Sequence, residues 1–181
     1  MSGKNSFWST QIIKWEQQRY QSLWAHLLYS SLNYRQQYAA FILNQIPDNS
    51  SVVEVGCGSG ILYGLIETHK KIKYTGIDIS AEAISIAQKK YPNSNWLCKP
   101  VDQIHGIKSD YFISAGLLDW LNDTEIAELI EKNEFKYHLH SFSIRKNSWK
   151  NHVHSIFSYF TSFTKQISYK PRTFEKNNIQ K

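Results

Sequence analysis

Ten consecutive residues, Ser51 to Gly60 (SVVEVGCGSG), place an apolar run, one carboxylate and three alternating glycines in a row. Val52, Val53 and Val55 read as a short strand buried on both faces. Gly56, Gly58 and Gly60 read as a turn, with Gly56 able to take dihedral angles unfavourable to a residue with a Cβ. Ile61, Leu62, Leu65 and Ile66 then recur at helical spacing. Strand, glycine turn and helix in that order open a parallel sheet whose ligand site lies at the carboxyl ends of its strands. In such a corner Gly56 takes the tight turn, Gly58 lets a ligand reach the backbone, and Gly60 brings the first helical turn close to the sheet.

The rest of the chain repeats the alternation. Further strands are predicted at Lys73 to Ser80, Asn95 to Cys98, Asp110 to Gly116 and Lys136 to Arg145. Ser80 is placed to N-cap a helix through Lys90, and a second helix starts at Asp123 or Thr124 with Ile126, Leu129 and Ile130 inward. Before the corner, Trp8, Ile12 and Trp15, then Leu23, Trp24, Leu27 and Leu28, then Tyr38, Phe41 and Ile42 keep the spacing of a helix face, until Pro47 breaks it. Strands alternating with helices predict an α/β fold, doubly wound around a mostly parallel sheet. After Arg145 the stripe Val153, Ile156, Phe157, Phe160 and Phe163 suits a helix, although the surrounding serines, threonines and aromatics also suit strands.

A chain of 181 residues is long enough for one domain with a real core. No apolar run approaches the roughly 18 residues that would span a bilayer, and the polar opening is unlike a signal peptide, which predicts a cytoplasmic protein. Cys57 and Cys98 lack metal-type spacing and are expected to be reduced, buried thiols. From Lys132 onward ten Lys and Arg face two acidic residues, a balance of +8 that leaves −2 for the first 131 positions. Such asymmetry fits either an anionic partner or a lysine-rich solvated face.

The spacing G-x-G-x-G, with Glu54 before it, is not the G-x-G-x-x-G of dinucleotide sites, because Ile61 stands where the third glycine belongs. VVEVGCGSG resembles the first motif of class I, Rossmann-like S-adenosylmethionine-dependent methyltransferases; YTGIDIS resembles their second strand ending in an acid, and DYFISAGLLDWL their fourth strand and its loop. The resemblance covers roughly residues 50–145. It implies one domain over 1–181: N-terminal helices to residue 49, a cofactor-binding core at 50–145, and a lid with the start of a last helix at 146–181. It also implies that the family's final strands are lacking, since PRTFEKNNIQK looks like the opening of the helix that precedes them.

The resemblance makes S-adenosyl-L-methionine the expected cofactor. Glu54 and the backbone at Gly56, Cys57, Gly58 and Gly60 would take its amino-acid part, Asp78 the ribose hydroxyls, and Ile79 one face of the adenine. Asp102 would meet the adenine amino group, with the Val101 backbone as an alternative contact, and Ser114 would leave room for the sulfonium. Arg35, in a helical segment that often closes over the cofactor in this family, is suited to the cofactor carboxylate.

Methyl transfer needs positioning, and a general base when the acceptor must lose a proton. Asp119, in the loop after the fourth strand, is the first candidate, and His140, which shares a strand face with His138, the second. Two histidines without a third ligand make no metal site. Arg145 and Trp149 would meet the acceptor, as a cation and an apolar wall. The expected function is therefore methyl transfer to oxygen or nitrogen of a small-molecule acceptor. The alternatives are a non-catalytic partner protein built on the same fold and, more weakly, an RNA methyltransferase. Nucleic acid and membrane are not expected partners; a homodimer or a partner protein covering the sheet edge is.

Overall fold

The structure, a computed structural model, describes residues 3–20 and 31–141. In chain order these form α1 (Gly3–Tyr20), α2 (Ser31–Gln45), β1 (Ser51–Val55), α3 (Ile61–Ile66), β2 (Lys73–Asp78), α4 (Ala81–Lys90), β3 (Asn95–Cys98), β4 (Lys108–Ala115), α5 (Asp123–Glu131) and β5 (Glu134–Ser141). The sheet has the order β3-β2-β1-β4-β5, and every neighbouring pair is parallel. This is the doubly wound architecture expected from the sequence, and its order reverses between β1 and β4, where such sheets bind ligands.

Alternation along each strand sorts the side chains into two cores. Val52, Tyr74, Trp96, Tyr111 and Ile113 pack against Ile42 and Ile46 of α2, Leu62 and Ile66 of α3, and Ile84 and Ala87 of α4. On the other face Val53, Val55, Ile77 and Phe112 meet Leu121 and Leu129. Two tyrosines fix α2 across the sheet: the Tyr111 hydroxyl donates to the Gln45 carbonyl, and the Tyr38 hydroxyl lies within bonding distance of the Ser114 and Leu139 carbonyls.

Helix ends follow their local chemistry. Ser80 caps α4, its hydroxyl accepting the Ala83 amide at 3.3 Å, with Glu82 in the first turn and Lys89 and Lys90 in the last. Asn122 and Glu125 close a capping box on α5, so the cap stands one residue before the expected start.

Several expectations are corrected. β5 covers Glu134–Ser141 rather than starting at Lys136, because Glu134 and Phe135 already pair with Lys108 and Ser109. Ile130 is exposed, and Leu129 carries the inner face of α5. Cys98 is exposed and only Cys57 is buried. The helical stripe at Leu23 to Leu28, Arg145, Trp149, the proposed lid and the question of the final strands lie outside the described residues. Among the described residues no helix is long and apolar enough to cross a membrane, and no group of three or more His, Cys, Asp or Glu is placed to hold a metal ion.

The link from β3 to β4 is short: residues 99–107 hold a single 3-10 turn, Val101–Gln103. At the amino ends of the strands lies a cavity of about 580 Å³, whose walls include Val53, Thr75, Leu97 and Ile107.

Candidate functional site

The three motif glycines all adopt positive φ, +77° at Gly56, +55° at Gly58 and +77° at Gly60. This winds the chain so that its amides turn inward. The amides of Gly56 and Cys57 donate to the Ile77 carbonyl at 2.8 and 3.2 Å, and that of Gly60 to the Cys57 carbonyl at 3.1 Å. The Gly58 amide donates to Asp78 Oδ2 at 2.8 Å, and the Ser59 amide to Glu16 Oε1 at 3.2 Å. All five amides from Gly56 to Gly60 are thereby satisfied within the protein. Of the backbone expected to meet the cofactor, the amides from Gly56 to Gly60 thus have protein partners.

Carboxylates gather around it. Glu54 is fully buried in the centre of the sheet, between Gly76 and Ile113 in register. Its Oε2 accepts the Tyr74 hydroxyl, while Oε1 has no hydrogen-bond partner. Burial first, and then the nearby Asp78 and Glu16, raise its pKa from 4.5 to about 7, against the Tyr74 hydrogen bond and the Arg35 charge. Asp78 ends β2 on the same sheet face, with Oδ1 accepting the Ser80 amide at 2.9 Å. Burial raises its pKa too, opposed by the amides of Ser80, Gly58 and Ile79.

Glu16 of α1 is a corner residue that the sequence reading missed. Its Oε2 accepts the Ser59 hydroxyl at 2.6 Å, and it is only 3% exposed. Desolvation raises its pKa over the opposing hydrogen bonds from Ser59 and the charge of Arg35. The signal was present, because Trp8, Ile12 and Glu16 follow each other at four-residue spacing, and a carboxylate continuing an apolar stripe asks for a buried partner.

Gly60 owes its identity to more than the turn. A Cβ there would stand 2.8 Å from the Trp96 ring, and one on Gly76 2.5 Å from the same ring. Trp96, Tyr63, Tyr74 and Tyr91 form an aromatic block under the corner. The Cys57 thiol faces this core, and burial pushes its pKa well up, so Cys57 has only its backbone at the turn.

The loop after β4 meets the corner through Leu117, 3.2 Å from the place of a Cβ on Gly56. Asp119 follows, buried on the turn Leu118–Trp120. The neighbouring Trp120 packs edge-on against Trp8 of α1, centroids 4.6 Å apart. Helix α1 therefore bridges the glycine corner and this loop. Ile79 is half-buried just past β2; Val101 is half-buried and Asp102 exposed on the 3-10 turn after β3.

Ser114 and His140 lie elsewhere. They are register partners on β4 and β5, with Ser114 Oγ 2.9 Å from His140 Nδ1. Alternation puts them with Phe112 on the α5 face, opposite Glu54 and Asp78. Burial and His138 lower the His140 pKa to about 4, so the ring is neutral near pH 7, and its Nε2 is buried without a partner. The carboxylate corner and the histidine are not brought together.

Residues 52–134 match the family model described as a methyltransferase domain. Its fold is that of the Rossmann-like methyltransferases. Over 99% of this chain and 74% of the other, the domain resembles a protein in the complex between the Haloferax volcanii Trm112 methyltransferase activator and a candidate methyltransferase, with 15% identity and a TM-score of 0.62. A complex of DhpI with SAM is similar over 82% of this chain and 68% of that one, at 13% identity and a TM-score of 0.60. The chain spans about half, 49%, of the length of a TehB-like SAM-dependent methyltransferase from Corynebacterium glutamicum, with 49% of this chain aligned, 21% identity and a TM-score of 0.44. No curated protein matches the chain.

Proposed function

We propose that the protein is an S-adenosylmethionine-dependent methyltransferase acting on oxygen or nitrogen of a small-molecule acceptor. The observation that supports this most is the closure of all five corner amides onto protein acceptors, with Glu16, Glu54 and Asp78 around them. A dinucleotide pyrophosphate requires free N–H donors at its glycine turn. A corner without them, ringed by carboxylates, suits a cationic ligand, and S-adenosylmethionine carries an ammonium and a sulfonium. The unpartnered Glu54 Oε1 marks a buried acceptor that such a cation would satisfy. The similar DhpI structure is a complex with the same cofactor.

In this reading Asp78 accepts the ribose hydroxyls with the lone pairs its amide partners leave over. Ile79 packs on the adenine, and the Val101 backbone and Asp102 meet its edge. The cofactor supplies an electrophilic methyl group on a sulfonium. Asp119, on the loop that touches the corner, is the proposed base for the acceptor proton; His140, neutral and bonded to Ser114 on the other face, is the second candidate. Arg145 and Trp149 are proposed for the acceptor.

Calorimetric titration with S-adenosylmethionine, S-adenosylhomocysteine and NAD tests the reading. Binding of the first two and not of NAD is the expected result, and NAD binding, or none of the three binding to the folded chain, would overturn it. With an acceptor in hand, Asp119→Asn should lower kcat by roughly a hundredfold or more with little change in cofactor affinity.

A further inference from the structure

We propose that Glu16 is a cofactor-contacting residue: α1 carries its carboxylate onto the glycine corner to receive the protonated amino group of the cofactor, and the docked N-terminal helix completes the pocket. The inference rests on the cofactor reading above and adds a recognition residue from outside the matched methyltransferase domain, which begins at residue 52.

Position comes first. A Cβ on Gly58 would lie 2.2 Å from Glu16 Oε1 and 3.8 Å from Ile12 Cγ1. The open space that a glycine creates at the middle of the motif is thus where α1 delivers a carboxylate. Ser59 fixes that carboxylate with its amide and its hydroxyl, one to each oxygen. Each oxygen keeps a further lone pair for a second donor.

Charge comes second. The groups facing this point from the packed elements are Glu16 on α1, Arg35 on α2, Glu54 on β1 and Asp78 on β2. Among the described residues three carboxylates stand against one guanidinium, all four buried. Buried charge in excess of its partners is costly, and either protons or a bound cation must relieve it. The fully buried Glu54 Oε1, without any hydrogen-bond partner, is an independent sign of an absent donor. An ammonium answers both needs. A ligand carboxylate placed at the same point would meet repulsion from Glu16, so the amino end is the one recognised.

Glu16→Gln separates recognition from architecture. The amide keeps an acceptor for the Ser59 N–H and a donor for the Ser59 hydroxyl, yet loses the charge. Dissociation constants of the full chain and the variant are measured for S-adenosylmethionine, S-adenosylhomocysteine and 5′-methylthioadenosine, which lacks the amino-acid end. The first two should weaken by about tenfold or more, the third by less than about twofold. Equal weakening of all three would mean that Glu16 only holds α1 in place. Unchanged binding, or tighter binding of the first two, would mean that the side chain is a bystander or an obstruction; each of these results overturns the proposal. Failure of the wild-type chain to bind any of the three would instead overturn the cofactor reading itself, and the inference with it.

Discussion

Two serines hold carboxylates at opposite ends of this sheet, with nearly the same geometry and opposite consequences. At the amino ends Asp110 Oδ2 accepts the Ser51 amide at 2.9 Å and hydroxyl at 2.7 Å. At the carboxyl ends Glu16 takes the Ser59 amide at 3.2 Å and hydroxyl at 2.6 Å. Lys136, hydrogen-bonded to Asp110 at 2.6 Å, together with Ser51, holds the Asp110 carboxyl well below the usual range. Burial pushes Glu16 the other way. The hydrogen bonds alone therefore do not decide the state of a carboxylate; its access to water and to a cation does. Among the described residues, one end of the sheet pairs its carboxylate with an exposed cation, whereas the other buries its carboxylates around a single guanidinium.

The largest effect should come from Asp78→Ala, which strips acceptors from the buried amides of Gly58 and Ser80. We expect cofactor affinity to fall by about tenfold or more, with thermal stability lowered as well, since each orphaned buried donor costs roughly 1–3 kcal/mol. An unchanged dissociation constant by calorimetry would remove the ribose role.

Glu54→Gln should act next, and through pH. With a folded pKa of about 7 against 4.5 unfolded, the native state holds more protons between these values, so the cofactor-free wild type loses stability as pH rises through that window. Thermal melts should show the Gln variant gaining on the wild type from pH 5 to pH 8, and a constant gap would refute the raised Glu54 pKa. Glu16 and Asp78, also raised, add in the same direction.

The serine pair itself offers the closest comparison. Ser59→Ala leaves a buried carboxylate oxygen short of a donor and should cost about 1–2 kcal/mol at pH 8. Ser51→Ala, where water and Lys136 remain to Asp110, should cost less. The smallest change is expected for Asp110→Asn: a slight loss of stability, screened by salt and vanishing toward acid as Asp110 itself becomes protonated, with cofactor affinity untouched. Equal effects at the two serines in chemical denaturation would break the contrast.

Much of this molecule was legible in its residues. The strand β3 and the helix after Ser80 fall where spacing and capping placed them, because short-range chemistry determines them. The glycine corner was legible too, but its hydrogen bonds were not. Four of its five amides are taken by Ile77 and Asp78, some twenty positions downstream, and by Glu16, 43 positions upstream of Ser59. Such pairings depend on how α1 crosses the sheet, which periodicity does not reveal. Likewise the two strand histidines were correctly placed on one side, yet which side, and hence their distance from the corner, followed only from the β4–β5 register.

The Tyr38 hydroxyl reaches the carbonyls of Ser114 and Leu139, 76 and 101 residues further along the chain. During synthesis from the amino terminus, α2 emerges long before either strand end exists. Contacts so distant in sequence form late, after the entropy of closing the intervening loops has been overcome. The Tyr38 hydroxyl of α2 is accordingly among the last groups of that helix to find its anchor. Until β5 is in place, Tyr38 lacks its Leu139 anchor, although the apolar face of α2 can already meet β1 and α3.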